Sequence, residues 1–73
     1  MIGQVQVNEI SSWMSQGGRV RIKFTVAHRF GVETATRDVR KIDTKTGWIQ
    51  VRFQGSLGFI IKPTEITFVD YIR

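Results

Sequence analysis

From residue 19 to residue 27 the chain alternates without a break. Val20, Ile22, Phe24 and Val26 hold every second position, and Arg19, Arg21, Lys23 and Thr25 fill the gaps. Successive side chains of a strand point to opposite faces, so this run predicts a strand with one apolar and one cationic face. Its β-branched and aromatic residues suit a pleated, half-buried surface. The same period returns at Ile49, Val51 and Phe53, set against Gln50 and Arg52. Between these runs, residues 32–42 are less regular: Val32 and Ile42 share one parity, Ala35 and Val39 the other. A straight strand cannot bury both sets, which predicts a bulge or sharp bend near 34–36. Residues 28–31 read as a tight connection ending in Gly31, and 43–47 as a hairpin loop ending in Gly47.

Towards the end of the chain the pattern changes. In 57–62, after a turn at Gly55-Ser56, both parities carry bulk: Leu57, Phe59 and Ile61 on one face, Ile60 on the other. Pro63 cuts that strand, because proline has no N–H for a ladder. In the last strand, 65–71, Ile66 and Phe68 face one way and Val69 and Tyr71 the other. Strands that are apolar on both sides are buried on both sides. At the other end, Val5 and Val7 alternate with Gln4 and Gln6, which predicts a short edge strand within 1–7. Asn8 then caps a short helix with Glu9 in its first turn, and Ile10, Trp13 and Met14 form its apolar face before Gly17-Gly18 ends it. Trp13 is its expected buried anchor, since two turns are too few to stand unaided.

One short helix cannot cover two doubly apolar strands, so their second faces are expected to fall to another subunit. The expected oligomer interface is Leu57, Phe59, Ile60, Ile61, Ile66, Phe68, Val69 and Tyr71. The whole pattern predicts an all-β fold: one small five-stranded antiparallel barrel over residues 1–73, preceded by a short helix.

Composition sharpens this picture. A chain of 73 residues buries only ~60–65% of its unfolded surface, so a lone core is marginal. With no cysteine and one histidine, neither disulfides nor a metal site can make up the difference, and association remains. No apolar run approaches the ~20 residues that span a bilayer, and the first residues lack the pattern of a secretory leader; a soluble, cytoplasmic protein without a membrane partner is expected. Eleven Lys and Arg against six Asp and Glu give a net charge of +5, which favours a polyanionic partner: RNA, DNA or an acidic protein surface. The same composition argues against an enzyme. No Ser/His/Asp or Cys/His set can be built around His28 alone, the carboxylates are scattered, and Gly55-Ser-Leu-Gly58 lacks the lysine of a phosphate-binding loop. No cofactor is expected.

A helix before the first strand, a bent second strand and a proline-marked turn before the last resemble the Sm/Lsm family, its bacterial Hfq branch in particular. The resemblance spans about 13–71. Residues 19–31 look like the family's first strand and its loop glycine, Val39-Arg-Lys-Ile-Asp43 like the end of the second, and 48–53 like the third. Phe59-Ile-Ile-Lys62 followed by Ile66-Thr-Phe-Val69 is similar to the segment in which a Tyr-Lys-His turn leads into the last strand, with Lys62 in the lysine position. The chain departs from that pattern in six respects: Ile61 stands for the tyrosine, Pro63 for the histidine, the turn is one residue longer, Ala35 or Thr36 stands where the second strand has its glycine, the loop 43–47 is longer, and no clear Asn follows it.

The resemblance implies a homo-oligomeric ring in which the fourth strand of one subunit pairs with the fifth of the next. It also implies single-stranded RNA held by the second-to-third and fourth-to-fifth loops around the pore, here 43–47 and 62–64. Lys45 and Lys62 are then the loop cations. Trp48 and Phe30 flank loops and are the candidates for stacking bases. Trp48 has the parity of Gln50 and Arg52, opposite the core set, so it is expected on the surface, either stacking a base or packing against another subunit. Phe24, Phe53, Phe59 and Phe68 instead share parity with the core set. With Lys41 and Arg40 these complete the expected RNA contacts: Lys45, Lys62, Trp48, Phe30, Lys41 and Arg40. Two alternatives stay open: another small barrel of Src-homology or oligonucleotide-binding type, and a protein-interaction barrel that docks on an acidic partner.

Overall fold

A computed structural model of the chain describes residues 1–52 and 59–73, except the side chains of His28 and Phe59. A helix, α1 (Gln4–Ser15), precedes β1 (Arg19–His28), β2 (Gly31–Ile42), β3 (Ile49–Val51) and β4 (Phe59–Ile61). A 3-10 turn, Pro63–Glu65, then leads into β5 (Ile66–Ile72). The five strands form one antiparallel sheet in the order β4-β3-β2-β1-β5. Among the described residues the sheet stays open, with β4 and β5 as its edges, rather than closing into the expected barrel. The Gly55-Ser56 turn, Phe53 and Leu57 lie outside the described residues.

β1 carries the core as its alternation predicts. Val20, Ile22 and Phe24 are at most 1% exposed, while Arg19, Arg21 and Lys23 face solvent. The apolar parity outruns the core, however, and Val26 is exposed. β1 and β2 meet in a hairpin with His28 opposite Gly31, whose φ of 133° only glycine adopts easily. From Val26 to Thr34 every residue whose side chain is described is exposed.

The irregularity of β2 lies later than 34–36. Its pairing with β1 is unbroken from Arg21 opposite Asp38 to His28 opposite Gly31. The register slips on the other side, where Val39 faces Val51 but Lys41 faces Gln50, leaving Arg40 as the extra residue of a bulge. The reason is burial. Val32, half of the parity conflict, is 69% exposed and needs no core position, whereas Val39 and Ile42, three apart, both pack on the core and need the slip between them.

A second slip corrects the expectation for β5. Lys23 faces Phe68 but Phe24 faces Ile66, so Thr67 is the extra residue. Ile66 therefore turns inward, 0% exposed, and Phe68 turns outward, 61% exposed, instead of sharing its face and the core. Val69 and Tyr71, opposite Ile22 and Val20, turn back towards the core.

The N-terminal segment is helical from Gln4, with Gly3 as N-cap, so neither the expected edge strand nor the Asn8 cap forms. Val7, Ile10, Trp13 and Met14 fall at helical spacing. Burial of Val7 (1%) and Ile10 (0%) outweighs the short alternation, while Val5 stays 74% exposed. The helix ends as Gly17-Gly18 predict: Gly17 N–H donates to the Met14 carbonyl at 3.1 Å and Gly18 N–H to that of Trp13 at 3.0 Å. Trp13 is half-buried rather than buried. Its indole N–H donates to the carbonyls of Arg19 (3.0 Å) and Ile72 (3.1 Å), tying α1 to the start of β1 and the end of β5.

Candidate nucleic-acid interface

The β2–β3 loop is built around Asp43. Its N–H donates to the Trp48 carbonyl at 2.9 Å, its own carbonyl accepts from Gly47 N–H at 2.7 Å, and its Oδ1 accepts from Lys45 N–H at 2.9 Å. That last bond, with help from Thr46 and the Lys45 charge, holds the Asp43 carboxyl below the usual carboxylate range. Trp48 N–H donates to Thr46 Oγ1 at 3.2 Å, which fixes the exit of the loop. Gly47 has φ 77°, and a Cβ there would lie 2.8 Å from Pro63 Cγ and 3.4 Å from Val7 Cγ2. Only glycine lets the loop lie this close to Pro63.

Pro63 belongs to the 3-10 turn between β4 and β5. Glu65 N–H donates to the Lys62 carbonyl at 2.9 Å, and Lys62 N–H donates to Glu65 Oε1 at 3.2 Å. The segment before α1 joins the same end: Ile2 N–H donates to the Pro63 carbonyl at 3.1 Å, and Gln4 Nε2 to that of Thr44 at 3.0 Å. The two loops that carry Lys45 and Lys62 are thus packed together, with both lysines exposed.

Beside them the outer face of the sheet holds a row in which Lys41 faces Gln50 and Gln50 faces Ile60. Trp48, 45% exposed as its parity predicts, adjoins that row. Lys41, Asp43, Trp48, Ile49, Gln50 and Ile60 line a shallow cleft of about 200 Å³. Arg40 is exposed next to it, on the bulge. Phe30 does not join this group. It is 88% exposed at the β1–β2 turn, and the 12 residues of β2, roughly 40 Å of extended chain, lie between.

The interface residues divide. Ile61 (4%) and Ile66 (0%) are buried within their own subunit, and Val69 and Tyr71 pack against the same core, so these side chains are largely spent internally. Ile60 (58%) and Phe68 (61%) are exposed. Leu57 and the Phe59 side chain lie outside what is described.

Asp38 was not among the expected site residues, yet it reshapes the cationic face. Arg21 Nε donates to its Oδ1 at 3.0 Å and Arg19 to its Oδ2 at 3.1 Å. The Arg21 bond holds the Asp38 carboxyl below its usual range, against the opposing push of partial burial, and Arg19 adds to the effect. Only the register reveals this, by setting Asp38 opposite Arg21. A depressed carboxylate stabilises the fold above its unfolded value of ~3.9, and that contribution disappears as pH falls through the lower folded value. Asp38→Asn is expected to cost ~0.2–1 kcal/mol near neutrality, since both arginines are exposed. Urea denaturation of both forms should show the gap closing as pH falls below the unfolded carboxylate value of ~3.9; a gap independent of pH would contradict this.

Compared with protein-family models, curated proteins and solved structures, the chain has no significant match. Among the described residues no group of His, Cys, Asp and Glu is arranged to hold a metal ion, and no helix is long and apolar enough to cross a membrane.

Proposed function

We propose that this chain is an Sm-like, non-enzymatic subunit of a homo-oligomeric ring that binds single-stranded RNA. One juxtaposition carries the reading: the Asp43 loop packs through Gly47 against the Pro63 turn, so the Lys45 and Lys62 loops share one end of the subunit. The bonds to Asp43 organise the backbone around Lys45, and the Lys62 backbone is held by Glu65. Both lysines are exposed, and they meet phosphates as point charges. Trp48 and the cleft beside it offer a base a stacking face next to the Lys41 cation. The ring is supported by the two sheet edges, β4 and β5, which the resemblance pairs between neighbours. Repetition of the loops around one axis would let one strand engage several subunits, raising avidity without any new kind of contact.

The test is a fluorescence-anisotropy titration of a short labelled RNA at several salt concentrations. Binding is expected to weaken with salt by a slope of about −0.7 per phosphate contact. Lys45→Ala and Lys62→Ala should each lower affinity for unrelated sequences and flatten the slope by nearly one contact. Trp48→Ala should lose roughly 1–3 kcal/mol per stacked base and leave the slope unchanged. Absence of binding by the unmodified chain at low salt would end the RNA reading.

A further inference from the structure

We propose that Ile60 of one copy and Phe68 of the next sit directly opposite each other across the β4–β5 seam and set its register. This rests on the ring reading and adds to it which residues meet and why no other alignment serves. The carrying observation is a pair of exposed apolar side chains, one on each edge of the same sheet. Ile60 is 58% exposed on β4 and Phe68 61% exposed on β5. Both point to the outer face: Ile60 lies opposite Gln50, and Phe68 opposite solvent-facing Lys23.

The Thr67 bulge produces the second half of the pair. Without the extra residue Phe68 would share the inward face of Ile66; with it, the ring is turned outward at the sheet edge. Bulges commonly re-aim a side chain in this way.

Alternation restricts the partners. When one sheet continues into another, inward residues must stay inward, because each subunit's core lies on that face. Ile60 must therefore meet an outward residue of β5: Phe68, Asp70 or Ile72, which stand opposite Lys23, Arg21 and Arg19. Facing Ile72, the last residue of the strand, it would pair β4 with the end of β5 and leave Phe68 bare. Facing Phe68, it completes a row running Lys41, Gln50, Ile60, then Phe68, Lys23 and Thr36 of the neighbouring copy, with its two apolar members at the centre. Facing Asp70, it would cover a carboxylate that stands opposite Arg21, and Phe68 would remain bare. Aromatic and β-branched residues make favourable cross-strand pairs. Joining unlike edges is a head-to-tail contact, which closes into a ring when the rotation allows.

The chain has no cysteine, so introduced thiols report without background. Directly opposed residues have Cβ atoms about 4.5–5.5 Å apart, which a small shift of the edge strands brings within the ~3.5–4.5 Å of a disulfide. Single variants Ile60→Cys and Phe68→Cys, both at exposed sites, are mixed and mildly oxidised; a covalent dimer is expected from the mixture and from neither variant alone. The double variant should give a reducible ladder, whereas Ile60→Cys mixed with Asp70→Cys should not link. Linkage of the Asp70 combination instead would overturn the register while leaving the ring intact. Oligomers in native mass spectra without linkage of either combination would overturn the seam alone. A monomeric unmodified chain at high concentration would overturn the ring, and the seam with it.

Discussion

Gly18→Ala is expected to remove about half of the stability of the subunit although it adds one methyl group. A Cβ at this position would lie 2.3 Å from Trp13 Nε1, 2.5 Å from Cδ1 and 2.7 Å from Cε2. These are atoms of a rigid ring, not the end of a flexible chain. The ring has no easy retreat, because its N–H is held by two carbonyls and its edge meets Tyr71 at a centroid distance of 5.9 Å. The Arg73 guanidinium lies 5.4 Å from its centroid. Expelling the indole would forfeit what truncating Trp13 forfeits, roughly 3–5 kcal/mol. A domain of this size has about 4–11 kcal/mol in total. Thermal unfolding should therefore drop by more than ~10 °C. The double variant Gly18→Ala/Trp13→Ala should be no worse than Trp13→Ala, since the clash disappears with the ring. Additive losses would show that Gly18 matters for another reason.

That clash marks where sequence reasoning stops. Alternation located β1 because each of its residues carries its own signal, and Gly31, Gly47 and Pro63 marked their turns for the same reason: fixed or unusual φ values are local properties. The helix start is obscured in the sequence because Val5 and Val7 fit a period of two over so short a span. Only when Val7 is joined to Ile10 and Met14 does the helical period appear, and Gly3 caps it without a side chain to announce it. The bulges at Arg40 and Thr67 were hidden more deeply. Each depends on which residue faces which across a ladder, so Phe68 read as core on its own parity while the register turned it outward. Asp38 passed unnoticed for the same reason, its partners being seventeen and nineteen residues away. Of the site, the exposure of Trp48 followed from parity. The contact between Gly47 and Pro63 depends on a close approach that no local pattern encodes.

Ile60→Asp and Ile61→Asp, adjacent residues on β4, are expected to fail in opposite ways. Ile61 is 4% exposed and faces fully buried Ile49. A carboxylate there would be buried without a partner, a change that costs about 3–5 kcal/mol. Burial would also raise its pKa above the unfolded value, so the variant should be least stable near neutrality and recover in mild acid as the group protonates. Ile60 is more than half exposed, and Asp there should move subunit stability by no more than ~0.5 kcal/mol. Its effect falls on assembly, because a carboxylate would replace the apolar partner that Phe68 meets across the seam. Light scattering should show a monomer-sized species with unchanged far-ultraviolet circular dichroism. RNA affinity should fall by the avidity factor, on the order of 10²–10⁴ where several subunits engage one strand. Tyr71→Asp would not separate these effects, since Tyr71 packs edge-on against Trp13 and donates its hydroxyl to Glu9 at 3.3 Å within the subunit. If Ile60→Asp keeps the oligomer intact, β4 is not the contact surface; if it unfolds the subunit, the outer face of β4 belongs to the subunit's own core.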